Sequence, residues 1–260
     1  MQINFYKYQG AGNDFVMIDN RTGNFKNDTK LINWLCDRRF GIGGDGLILL
    51  EESSQVEARF KMTYFNADGR QSTMCGNGGR CIVAFAKFLS LIASDCMFVA
   101  IDGLHKARID KNTLVELKMK NVSDIKKYSR DLVLDTGSPH YIKYVDELKN
   151  INISKEGASI RYSEDFKKAG INVNFVQISG NKLEIRTYER GVENETLSCG
   201  TGVTAAAIAA YHSNRLNNNR VLIKAQGGNL EVKFDKTSTG YENIWLIGPA
   251  KQVFKGEMLC

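Results

Sequence analysis

No stretch of the sequence approaches the roughly 18 consecutive apolar residues that a spanning helix needs, so no membrane partner is expected. Nor does the opening MQINFYKYQGAGNDF set a charged start before an apolar run, and the reading is a cytoplasmic protein without a targeting segment. The 6 cysteines form no CxxC pair, and a chain of 260 residues buries a core without a disulfide framework. Cys36, Cys75, Cys81, Cys96, Cys199 and Cys260 therefore read as reduced thiols. Histidine is scarce: with His105, His140 and His212 alone, and with Cys75 and Cys81 off the usual zinc spacing, no metal is expected. There is no GxxxxGK[ST] phosphate loop and no nucleophile-elbow sequence for a serine triad. Basic residues outnumber acidic ones 35 to 29, but they are scattered, which argues against a nucleic-acid partner. The excess suits a small anionic substrate or simply a solvated surface.

What is present is ordinary for a soluble globular chain, 43% hydrophobic and 25% charged. One motif misleads. GIGGDG at 41–46 satisfies GxGxxG, but a helix-like LINWLCDRRF precedes it and a strand-like LILLE follows, the reverse of a dinucleotide fingerprint. A tight turn is the expectation there.

The informative feature is a repeat. TMCGNGGRCIVAFAKFL finds a partner in LSCGTGVTAAAIAAYHS, with Cys75 and Cys199 nearly half the chain apart. KMTYFNADG and EIRTYERG precede the two cysteine loops, and GNDFVMID and GSPHYIKYVD lie further upstream, in the same order. The segments IVAFAKFLSLI (82–92) and VTAAAIAAY (203–211) are apolar on nearly every face, so each helix must be surrounded. DTKLINWLCDRRFG reads instead as an amphipathic helix, and most of the remaining chain as short strands. The expected fold is α+β: two similar domains related by a pseudo-twofold, each a curved mixed β-sheet or barrel wrapped around a central apolar helix. The domains are expected at 1–120 and 121–248, with 249–260 returning to the first half.

A helix N-terminus presents free N–H groups and positive potential, so it attracts anions and lowers the pKa of a cysteine seated there. Glycines beside it let the backbone approach a carboxylate closely. If the duplicated halves face one cleft, Cys75 and Cys199 approach it from opposite sides. One thiolate could then remove the α-proton of an amino acid while the other thiol protonates the opposite face, with no cofactor required. For Cys36, Cys81, Cys96 and Cys260 the expected role is that of small buried hydrophobes.

Taken together, GAGNDFVMID, GIGGDGL, FNADG with MCGNGGRC, GSPH, NVNFVQ, YERG and ETLSCGTG resemble the diaminopimelate epimerase family over nearly the whole chain. The resemblance implies interconversion of LL- and meso-diaminopimelate without pyridoxal phosphate, serving lysine and peptidoglycan precursor synthesis, by a cytoplasmic homodimer. It implies that Cys199 accepts and Cys75 returns the proton in the LL-to-meso direction. It also implies a substrate cradle of Gly76, Asn77, Gly200 and Thr201, substrate-binding Asn13, Asn66 and Asn172, and Arg190 for the distal carboxylate. Glu189 and His140 match polar groups that support the thiols. The chain departs from the family at Ser138, where GSPH replaces the usual Gly-Asn-Pro-His. Rival readings are a proline racemase-like epimerase, a thiol-redox protein and a non-enzymatic amino-acid binder.

Overall fold

The computed structural model describes residues 2–259, and Cys260 lies outside them. The chain divides into two compact units, Met1–Leu117 with Gly248–Cys260, and Lys118–Ile247. In the first, β1 (Gln2–Gly10) and β2 (Asn13–Asp19) form an antiparallel hairpin, and Gly12 at its turn has a φ of 85°, a left-handed conformation that suits glycine. Helix α1 (Thr29–Cys36) brings β3 (Gly46–Glu51) parallel to β2, and β4 (Phe60–Asn66) and β5 (Gln71–Ser72) add antiparallel. Helix α2 (Gly76–Phe88) then carries the chain to β6 (Asp95–Ala100), parallel to β4, followed by antiparallel β7 (Gly103–Ile109) and β8 (Leu114–Lys118).

The second unit repeats this order. Strand β9 (Ile125–Tyr128) pairs with β10 (Asp131–Asp135), which forms a hairpin with β11 (Pro139–Tyr144). Helix α3 (Ile153–Arg161) sets β12 (Asn172–Ser179) parallel to β11, and β13 (Lys182–Glu189) and β14 (Asn194–Thr196) add antiparallel. Helix α4 (Gly200–His212) leads to β15 (Arg220–Ala225), parallel to β13, then β16 (Gly228–Lys236) and β17 (Tyr241–Pro249). The last strand, β18 (Lys251–Leu259), pairs antiparallel with β1 as β9 does with β10. The fold is thus α+β with mixed sheets, built from one motif used twice.

Strands covered on both faces read as continuous apolar runs. In β3, Leu47 and Leu49 join Ile32 and Leu35 of α1 in one cluster, while Ile48 reaches toward α2. Helix α1 is capped by Asp28, whose carboxylate accepts from Leu31 N at 2.8 Å. It ends at Cys36, earlier than LINWLCDRRF suggested, because the loop amides of Ile42 and Gly43 donate to Leu35 O and that of Gly44 to Cys36 O. The GIGGDG glycines thus close a helix C-terminus.

Helices α2 and α4 are the buried ones, with every residue from Gly76 to Ala86 and from Val203 to Ala210 buried. Phe85 packs on Tyr6 and Tyr8, and burying such a ring contributes about 1.5–3 kcal/mol. Helix α2 starts six residues before the apolar stretch 82–92 and stops short of its end, where Ser90 takes a φ of 60° and its N–H bonds Lys87 O.

Candidate functional site

Cys75 and Cys199 are the N-cap residues of α2 and α4, with extended backbone (φ −94° and −121°) and no side-chain cap bond. A Ser or Asp there would fold its oxygen back onto the first-turn amides. Here each sulfur is left beside a helix N-terminus, where the dipole favours negative charge. Cys75 is partly exposed and Cys199 is 9% exposed. Burial pushes the thiols of Cys36, Cys81 and Cys96 each up to about 12.

In the first unit Asn13 sits against Cys75. Its Nδ2 donates to Asp45 Oδ2 at 2.5 Å, which turns Oδ1 toward the Cys75 sulfur at 3.6 Å and Asn77 Nδ2 at 3.4 Å. Asp45 is held in turn by Arg38, which also grips Asp14 at 2.6 and 3.0 Å, and buried Lys7 pairs with Asp14 at 2.8 Å. Burial pushes the Asp14 carboxyl up, but the bonds from Arg38 and Lys7 outweigh it and hold the group well below the usual carboxylate range. The Asn77 Oδ1 accepts from Arg80 Nη2 at 2.9 Å, and Arg80 Nη1 reaches Gly76 O at 3.3 Å. Gly76 and Asn77 are buried in the first turn of α2. Asn66 is exposed at the end of β4, where its backbone closes the turn to Arg70.

In the second unit the strands alternate. Tyr141, Val173 and Phe175 cluster on the α3 side, which puts His140, Asn172 and Asn174 on the opposite face. His140 is thus a fully buried strand residue, not the loop residue its neighbour Pro139 suggests. Its Nε2 lies 2.8 Å from Thr201 Oγ1, which is 3.4 Å from the Cys199 sulfur. Burial pushes the imidazole down to about 3, so it is neutral near pH 7. Asn172 donates to Pro139 O at 3.0 Å and Ser138 Oγ at 2.8 Å, and accepts from Arg190 N at 2.9 Å. Arg190 is exposed and its Nη2 reaches the same Ser138 hydroxyl at 3.4 Å. Ser138 therefore joins Asn172 to the Arg190 guanidinium. Glu189 accepts from Thr196 Oγ1 at 2.8 Å, and Gly200 and Thr201 form the first turn of α4.

The sequence reading missed the groups behind these residues: Asp45, Arg38 and Lys7 behind Asn13, and Asn174 and Thr187 behind His140. Asn174 carried a signal, since two asparagines at period two in the apolar NVNF place polar groups on one strand face.

This duplicated α+β fold recurs among solved structures. The solved PhzF-family phenazine biosynthesis protein of Bacillus anthracis matches it with a TM-score of 0.78 at 15% identity, over 100% of both chains. A hydroxyproline epimerase from Agrobacterium vitis matches with a TM-score of 0.69 at 14% identity, over 99% of this chain and 92% of that one. Sequence narrows the class. The diaminopimelate epimerase of Flavobacterium psychrophilum is 54% identical, covering 97% of this chain and 99% of its own, and that of Chlorobaculum tepidum is 41% identical over 95% and 98%. The family pattern of diaminopimelate epimerase matches residues 5–123 and 132–253. The chain belongs to the diaminopimelate epimerase family and is an isomerase.

Proposed function

We propose that the protein interconverts LL- and meso-diaminopimelate with Cys75 and Cys199 as its two acid–base groups. The observation that carries the assignment of these residues is their shared position: each caps the buried helix of its unit and leaves its sulfur out of the cap. Inversion at the α-carbon requires one group to take the proton from one face while another delivers a proton to the opposite face. The Cys199 thiolate takes the α-proton of the LL isomer and becomes a thiol, and the Cys75 thiol gives up its proton and becomes a thiolate. The reverse reaction exchanges the roles.

The surroundings of the sulfurs support that direction. Cys75 faces the Asn13 carbonyl oxygen, a contact a thiol donates to and a thiolate cannot make. Cys199 faces a hydroxyl, which stabilises a thiolate. The first-turn amides of α2 and α4, with Gly76, Asn77, Gly200 and Thr201, suit the reacting carboxylate as negative charge builds on it. Arg190, braced by Ser138 and with Asn172 bonded to its backbone, suits the distal carboxylate, and Asn13 and Asn66 suit the ammonium groups.

Replacing either cysteine with alanine is expected to cut epimerisation of LL-diaminopimelate by about 10²–10⁴-fold. Proline turned over in preference to diaminopimelate would return the racemase reading. We further propose a cytoplasmic homodimer, following the family resemblance. Among the described residues no helix is long and apolar enough to cross a membrane. Sedimentation equilibrium at assay concentration should give twice the chain's 29.1 kDa, and a single-chain mass would reject the dimer.

A further inference from the structure

Behind Cys199 runs a chain of hydrogen bonds whose directions can be deduced one at a time. Asn174, on β12, sits directly opposite Thr187 of β13 in the ladder, and both are buried. Its Nδ2 lies 3.2 Å from the Tyr141 backbone carbonyl, which can only accept, so that end of the amide is the NH₂. The other end, Oδ1, accepts from Thr187 Oγ1 at 2.9 Å. The second Nδ2 hydrogen points at His140 Nδ1, 3.0 Å away. A donor at that distance requires Nδ1 to carry a lone pair, so the proton of the neutral ring is on Nε2. Nε2–H then donates to Thr201 Oγ1 at 2.8 Å, and the Thr201 proton is left to point at the Cys199 sulfur, 3.4 Å away.

We propose that Asn174 is a positioning residue for Cys199: by fixing the tautomer of His140 it commits the Thr201 hydroxyl to donate to the sulfur. With the opposite tautomer, Nε2 would be an acceptor and would claim the Thr201 proton for itself. No proton moves along the chain during turnover; it acts by orientation, and the thiolate gains a hydrogen bond that the thiol does not need. Gly202 belongs to the same arrangement, since a Cβ there would collide with Asn174 Oδ1. This inference rests on Cys199 being an acid–base thiol, but its test does not depend on turnover.

The first measurement is the ring ¹⁵N spectrum of full-length protein labelled in its 3 histidines, with His140 assigned by the loss of its signals in His140→Gln. The Nε2–H tautomer is expected near neutral pH, and the Nδ1–H tautomer would overturn the proposal with no need for an Asn174 variant. The second is the pH dependence of iodoacetamide alkylation of Cys199 in a Cys75→Ala/Cys260→Ala chain. Thr201→Val and Asn174→Leu should each raise the midpoint by about one pH unit, a tenfold loss of thiolate at a given pH. Thr201→Ser should restore it, and Asn174→Leu combined with Thr201→Val should raise it no further than either alone. Asp135 on β10, Glu189 on β13 and Arg190 after it stay in place throughout, so their fields cancel from the comparison. A folded Asn174→Leu protein with an unmoved midpoint would reduce Asn174 to a structural role. Cys199→Ala retaining full epimerisation would instead reject the parent reading of Cys199.

Discussion

Single residues here act through what holds them. His140 is neutral because it is buried, and burial that pushes its pKa down to about 3 links it to stability. The unfolded chain binds that proton near pH 6.5, so stability is full above that value. As pH falls toward 3 the unfolded state takes up a proton that the native state refuses, and stability declines by up to about 1.4 kcal/mol per unit from this group. Urea unfolding between about pH 6 and pH 5 should show this slope, and His140→Gln should flatten it. The thiols divide by the same logic. Iodoacetamide near neutral pH should modify Cys75 and Cys199 in the native protein and spare Cys36, Cys81 and Cys96, whose burial keeps them protonated. Peptide mapping that finds Cys81 modified as fast as Cys75 would refute this. The matching positions of Cys75 and Cys199 at the starts of α2 and α4 were legible in the sequence because each opens the same Cys-Gly-x-Gly segment. Asn174 and Asp45 were not, because their partners lie 34 and 32 residues away and meet them only through the folded chain.

Among the elements, α2 and α4 were legible as buried helices because no face of either is polar enough to meet water. Their starts were harder to read, since the glycines that open them are poor helix formers by propensity. Glycine is required there by close approach: a Cβ on Gly78 would press on Ile48 and Met62, and one on Gly202 on Asn174. Gly202→Ala should therefore cost about 1–3 kcal/mol by overpacking, despite alanine's better helix propensity. Thermal melting checks this, and an unchanged or raised midpoint would mean that α4 shifts to make room. Helix α3 escaped the sequence reading because its nine residues, ISKEGASIR, carry few apolar positions and a glycine in mid-helix. Gly157 is there because Tyr188 lies against it.

Over the whole molecule, the duplicated order of strands and helices was legible because three paired segments recur in register along the chain. The same duplication makes the chemical differences between the units informative, since Cys75 meets an amide carbonyl where Cys199 meets a hydroxyl. The central claim is that two thiols, not one, handle the α-proton. It is tested most directly by running LL-diaminopimelate through the wild-type enzyme in deuterated water under reducing conditions and analysing both isomers at low conversion. Two bases predict deuterium at the α-carbon of the meso product and almost none in recovered LL substrate, because the thiol that delivers the new proton has equilibrated with solvent. Deuterium appearing equally in recovered substrate and product would mean that one group serves both faces, and would contradict the account.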